Sequence, residues 1–186
     1  GCFSGYSLQY NPLFLKAKSY LKNFEIESVK VNVITPDDFS TRQGWRSGNF
    51  GGLLNEFAGH GLSLLGMLPD TNDMRLIDFE QQDDNTLKIF GMIGIKKISF
   101  EIDLIGGDKE IRKSQYLLLG KNSNKDEFCY NTYQIMLNGE VINNIASIGA
   151  NTKFYLRGFD YANELHSALY SDEEPIGRDF VNEIEI

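Results

Sequence analysis

The sequence of 186 residues predicts an α+β domain, a mostly antiparallel open-faced β-sheet with helices packed on one face. Three observations carry this. Two segments repeat apolar residues at helical spacing, and a long middle stretch alternates apolar and polar residues with the period of two that a half-buried strand requires. The order is helix, strand, helix, a run of strands, then a helix, so strands follow strands instead of alternating singly with helices as in parallel βαβ units. With 41% hydrophobic and 12% aromatic residues, a chain of this length has the material for one core and one domain spanning 1–186.

Each element has its own signal. Asn11 is a good N-cap and Pro12 a good first helical residue, since a missing N–H costs nothing there; Leu13, Ala17, Tyr20 and Leu21 then mark a helix over about 12–22. Val29, Val31 and Val33 alternate with Lys30 and Asn32 as a strand, which Pro36-Asp37-Asp38 ends. Phe50, Leu53, Leu54, Phe57, Gly61, Leu64, Leu65 and Leu68 follow the i, i+3, i+4, i+7 rule, giving a helix over 50–68 that stops at Pro69. From Met74 onward strands follow. Leu87, Ile89, Ile93 and Ile95 share one parity and Ile98, Phe100, Ile102 and Leu104 the next, the slip at Lys96-Lys97 marking a bulge or tight turn. Gly106-Gly107-Asp108 reads as a turn; Glu110 to Arg112, Tyr116 to Leu119 and Tyr130 to Leu137 read as strands, and Asn138-Gly139 as a hairpin turn. Thr152 caps a last helix whose stripe is Tyr155, Phe159, Ala162, Leu165 and Leu169.

Composition excludes several classes of function. Eighteen Lys and Arg against 26 Asp and Glu leave a formal charge of −8, which offers no general pull toward nucleic acid or an anionic membrane surface. The apolar stretch from Phe50 to Leu68 is interrupted by Asn55, Glu56 and His60, so no membrane span is expected. Cys2 and Cys129 have no CxxC partner and read as two free thiols in a reducing cytoplasm. No P-loop or GxSxG occurs, and Gly59-His60-Gly61 lies inside a helix instead of at a strand-to-helix turn, so no cofactor or metal site is expected in this chain.

The chemistry concentrates on the second helix. Glu56 and His60 stand one turn apart on a polar stripe with Asn49, Gly52 and Ser63, beside the apolar face. A carboxylate next to an imidazole raises its pKa and orients it, an arrangement suited to a general base or acid near neutral pH. Tyr10, Trp45, Arg46 and Asn49 are candidate substrate-binding groups, and Trp45 has the flat apolar face on which a sugar ring can stack. His166 has no acid at a suitable spacing and reads as a surface or core residue.

Tyr10-Asn11-Pro12-Leu13-Phe14-Leu15-Lys16-Ala17-Lys18, Gly44-Trp45-Arg46 and above all Gly51-Gly52-Leu53-Leu54-Asn55-Glu56-Phe57-Ala58-Gly59-His60 resemble the C-terminal domain of the glucose-fructose oxidoreductase / inositol dehydrogenase (Gfo/Idh/MocA) family. Phe100 to Asp108 is similar to that family's strand-turn element, and Phe159 to Pro175 to its returning terminal helix. The resemblance implies an oxidoreductase that uses NAD or NADP, held by an N-terminal Rossmann domain with a catalytic Lys, and that acts on a sugar, nucleotide sugar or cyclitol. It places His60 at the family's proton-exchanging His and Glu56 at the Asp four residues before it; the exchange to Glu keeps the charge and adds a methylene, and Ser63 stands where an acid is often found. The chain opens Gly1-Cys2-Phe3 without an initiator Met and so reads as the substrate half of a longer protein, inactive alone. A rival expectation is a non-enzymatic, homo-oligomerising interaction module. Under either expectation the open sheet face, carrying Ile98, Phe100, Ile102 and Leu104 or the opposite parity, pairs with another copy.

Overall fold

A computed structural model describes residues 11–48, 51–69, 71–112 and 114–144. Tyr10, Asn49, Phe50, Cys2, His166 and the helix expected after Thr152 lie outside the described residues. Helix α1 (Pro12–Leu21) begins as the sequence predicts, with the Asn11 side-chain oxygen accepting from the Leu13 and Phe14 N–H groups at 2.7 and 3.3 Å. Its buried face is Leu13, Phe14, Ala17 and Leu21, and the Phe14 ring meets Tyr130 edge-on at 6.0 Å. Strand β1 (Ser28–Ile34) follows, then two short 3-10 turns, Phe39–Thr41 and Gly44–Arg46, and helix α2 (Gly52–Leu65).

The remaining strands are β2 (Met74–Asp83), β3 (Thr86–Ile93), β4 (Ile98–Ile105), β5 (Gln115–Lys121), β6 (Glu127–Asn131), β7 (Gln134–Leu137) and β8 (Glu140–Asn144). They form one eight-stranded sheet in the order β2-β3-β4-β1-β5-β6-β7-β8. Five hairpin pairs are antiparallel between sequence neighbours; β1 inserts between β4 and β5, parallel to the first and antiparallel to the second. The fold is thus α+β, with a mostly antiparallel sheet. Register sorts the faces: Val31 lies opposite Ile102 on one side and Leu118 on the other, all three fully buried on the face that α2 covers. Gly61 of α2 allows the close approach, because a Cβ there would lie 2.7 Å from Ile102 Cγ2.

The same register puts Lys30, Lys88, Glu101 and Asp103 together on the opposite face, which carries no helix among the described residues. Lys30 Nζ lies 2.7 Å from Asp103 and 3.1 Å from Glu101, and Lys88 Nζ 3.3 Å from Glu101. The face left open is therefore the Ser99, Glu101, Asp103 parity; Ile98, Phe100, Ile102 and Leu104 are buried beneath the helices and cannot meet a partner.

Other expectations are corrected. Glu110 to Arg112 is not a strand: the segment after β4 crosses the end of β1, with Gly107 and Asp108 donating to the carbonyls of Asp37 and Thr35, and the Glu110 N–H turned onto the Asp108 side chain at 3.0 Å. Tyr130 to Leu137 is two strands, because the Asn131 side-chain oxygen accepts from the Tyr133 and Gln134 N–H groups and folds Thr132-Tyr133 into a turn. Ile95 leaves the strand parity, 88% exposed in the Gly94–Lys97 turn. Asn138 and Gly139, both at positive φ, make the expected hairpin turn.

Candidate functional site

The site grows from the first turns of α2. The 3-10 turn Gly44–Arg46 lies directly against the helix start: a Cβ on Gly52 would stand 2.1 Å from the Arg46 carbonyl oxygen, and the Gly52 N–H donates to the Ser47 carbonyl at 3.0 Å. Only glycine permits that contact. It carries Arg46 to Glu56, one turn along, where the guanidinium Nε approaches the carboxylate at 2.7 Å as an ion pair whose N–H is not aligned on the oxygen. Glu56 is the sheltered partner, its side chain 15% exposed against 47% for Arg46. The Arg46 guanidinium also stands 5.0 Å over the Trp45 ring, and Trp45 is 61% exposed, so it anchors no loop in the core and instead presents its face to solvent.

His60 follows on the next turn, half-buried between two rings. Phe57 lies 5.9 Å away within the helix, and Tyr116 reaches across from β5 to 5.3 Å. Burial pushes the His60 imidazole below its ordinary value. That direction is opposite to the one expected from a neighbouring carboxylate, because the packing around the ring disfavours the charged form and the Glu56 carboxylate is turned to Arg46. A neutral imidazole at neutral pH is competent to accept a proton. Ser63, fully within the helix packing, donates its hydroxyl to the His60 carbonyl at 2.8 Å and so fastens the backbone that carries the ring.

Of the residues singled out in the sequence, the structure brings Glu56, Arg46 and Trp45 to one end of α2 and sets His60 a turn further along; Tyr10 and Asn49 lie outside the described residues. It adds Tyr116, which sequence reasoning placed only in a strand. The available signal was parity: Tyr116 and Leu118 share a face, and Leu118 is fully buried under the helix layer. Burial pushes the Tyr116 phenol up, against a smaller opposing effect from the Ser114 hydroxyl, so it keeps its proton.

Two of the glycines that lead into α2, Gly48 and Gly52, are closed by protein atoms. Gly48 is filled by the Asp84 side chain, whose carboxylate would meet a Cβ there, and Gly52 is closed by the Arg46 carbonyl, so the helix start presents oxygen to any approaching phosphate. Among the described residues no group of three or more His, Cys, Asp or Glu side chains converges to hold a metal, and no helix is long and apolar enough to cross a membrane.

No family model matches the chain, and no curated protein sequence matches it. Solved structures do. The dehydrogenase MviM from Clostridium difficile superposes with a TM-score of 0.62 at 13% identity, over 93% of this chain and 55% of that one. D-galactose-1-dehydrogenase from Rhizobium etli gives 0.55 at 12% identity, over 90% and 58%. GenD2 of gentamicin A biosynthesis, solved in complex with NAD, gives 0.54 at 15% identity, over 70% and 39%. The chain thus spans between 39% and 58% of the length of these proteins. At such identities what is shared is the fold.

Proposed function

We propose that this chain is the substrate-binding domain of an NAD(P)-dependent oxidoreductase that acts on a hydroxyl of a sugar, nucleotide sugar or cyclitol. The observation that carries the reading is His60, a neutral imidazole lodged between Phe57 and Tyr116 on a helix that also carries the Arg46–Glu56 pair. Oxidising a secondary alcohol requires a base for the O–H proton while hydride leaves from carbon. His60 is that base in this reading, and Glu56, one turn away and paired with Arg46, is the assisting carboxylate. Trp45 and Arg46, exposed beside it, offer a ring face and a guanidinium to the substrate, with Tyr10 and Asn49 assigned to the same role. The likeness in fold to dehydrogenases, one named for D-galactose and one solved with NAD, supports the class of reaction. In this reading the hydride acceptor is held by a separate dinucleotide-binding Rossmann unit.

The open sheet face is assigned to a second copy of the chain. Its central charges balance, two lysines against two carboxylates, so a two-fold partner meets a neutral surface flanked by Phe90, Leu117 and Leu119.

The test of the enzymatic reading is NAD(P)-dependent oxidation of a panel of sugars and cyclitols by the protein that joins this chain to its dinucleotide-binding unit. His60→Ala is expected to lower kcat by about 10²–10⁴-fold with far-UV circular dichroism unchanged. A near-wild-type rate in that variant refutes the role of His60.

A further inference from the structure

We propose that Tyr116 contacts the substrate through its phenol oxygen, accepting from a hydroxyl adjacent to the one that reacts at His60, and so selects substrates bearing two neighbouring hydroxyls. The inference rests on the oxidoreductase reading above and adds to it a residue on a different element.

The geometry points to this role in three ways. First, the Tyr116 and His60 rings are tilted at 48° with centroids 5.3 Å apart, which leaves them side by side instead of stacked. Both residues are half-buried, whereas Phe57 on the far side of His60 is only 7% exposed. Of the two rings against the imidazole, Tyr116 is therefore the one left partly open. Second, the position does not call for a phenol on packing grounds. Tyr116 lies opposite Val33 on β1, and its face-mate Leu118 fills the same layer with a purely apolar side chain. A hydroxyl set in that layer has to be matched by a polar group or it costs stability.

Third, the polar groups that accompany it come as a chain. The Ser114 hydroxyl lies beside Tyr116 and donates to Thr35 Oγ1 at 3.0 Å, and the fully buried Thr35 in turn meets the Asp37 carboxylate at 3.4 Å. Each hydroxyl of this string passes its proton away from the ring, toward Asp37, so Ser114 turns a lone pair to the phenol and the phenol oxygen keeps its own lone pairs for a ligand hydroxyl. Because burial holds the phenol protonated, Tyr116 binds and orients, and the proton of the reaction goes to His60 alone.

The experiment compares the wild type with Tyr116→Phe, in the protein that joins this chain to its dinucleotide-binding unit. The substrates are a cyclitol or hexose that is turned over and its analogue lacking the neighbouring hydroxyl. Removing one hydrogen bond to an uncharged hydroxyl predicts a loss in kcat/KM of about tenfold with the full substrate. The deoxy analogue is expected to react equally with both proteins, and the pH profile of kcat to stay unchanged. Equal losses with both substrates, or no loss with either, overturn the inference and leave the role of His60 standing. The enzymatic reading fails separately, if the wild type oxidises nothing in the panel. In that event the ζ-carbon resonance of ¹³C-labelled Tyr116 is followed while the same polyol and its deoxy analogue are added: a shift with the polyol alone upholds the contact, and no shift with either overturns it.

Discussion

The two faces of the sheet are built from the same strands and obey different chemistry. On β4, Ile98, Phe100, Ile102 and Leu104 point to the helices and are buried, while Ser99, Glu101 and Ile105 point the other way and keep contact with solvent. The covered face holds a continuous apolar layer, joined by Val29, Val31 and Val33 from β1 and by Leu87, Ile89 and Ile93 from β3. The open face is held by ion pairs across β1, β3 and β4. Burial of apolar area stabilises roughly in proportion to that area, whereas partly exposed ion pairs contribute little each. Stability therefore belongs to the covered face, and so does the candidate site, since His60 and Tyr116 are held by elements packed on that side.

The largest expected effect tests this assignment directly. Ile102→Ala removes a fully buried side chain between β4 and Gly61 of α2, where the helix sits too close to fill the gap with another side chain. We expect a loss of about 2–5 kcal/mol in urea unfolding. A loss below about 1 kcal/mol would show that α2 does not rest on the sheet as described.

A smaller effect is expected from the charged ladder. Asp103 is the most sheltered of its four members, its side chain 12% exposed, so Asp103→Ala leaves Lys30 and Lys88 sharing one carboxylate and should cost about 1–2 kcal/mol. Replacing Lys30 by Met and Asp103 by Leu together should restore most of it, because the pair is removed whole. The ladder also predicts a pH window. The hydrogen bond that Lys30 donates to Asp103 is the main cause that raises Lys30, against burial, so its contribution is complete below the ordinary lysine range and fades as pH rises through the elevated value. For Glu101, burial pushes upward, but hydrogen bonds from the Lys30 and Lys88 ammonium groups outweigh it and hold the carboxyl below its usual range. Its contribution is complete above that range and is lost as pH falls through the depressed value. Urea midpoints of wild type and the double replacement, compared across pH, should converge at both ends; parallel curves would deny the ladder any role.

The contrast between the faces also explains what was legible in the sequence. The alternation of β1, β3 and β4 gave the two parities, and Asn11-Pro12 gave the start of α1, because those signals are local and act within a few residues. Which parity is covered depends on where α2 lands, and the sequence does not say that β1 runs parallel to β4. Glu110 to Arg112 looked like a strand on the strength of Ile111, yet the backbone there is engaged by the crossing over β1. The helix spacing put Glu56 within reach of His60, but spacing is silent about a residue on another element, and Arg46 takes the carboxylate. Tyr116 was hidden for the same reason: nothing within β5 reveals that α2 brings an imidazole to it.

The smallest effect on the fold is expected where the effect on assembly should be largest. Leu119 lies on the open face, paired across β1 with Lys30 and across β6 with Cys129, and is only half-buried. Leu119→Glu there loses little apolar burial and breaks no packing with either helix, so the unfolding midpoint at low concentration should move by no more than about 0.5 kcal/mol. At a two-fold interface the same substitution acts twice, placing two carboxylates, one from each copy, next to a surface that is already charge-balanced. Sedimentation velocity of the wild type over a hundredfold range of concentration should show association that Leu119→Glu weakens by tenfold or more. A wild type that stays monomeric throughout would refute the assignment of this face to a second copy. An unfolding midpoint that drops as far as in Ile102→Ala would instead erase the distinction between the two faces, since the open one would then be bearing the fold.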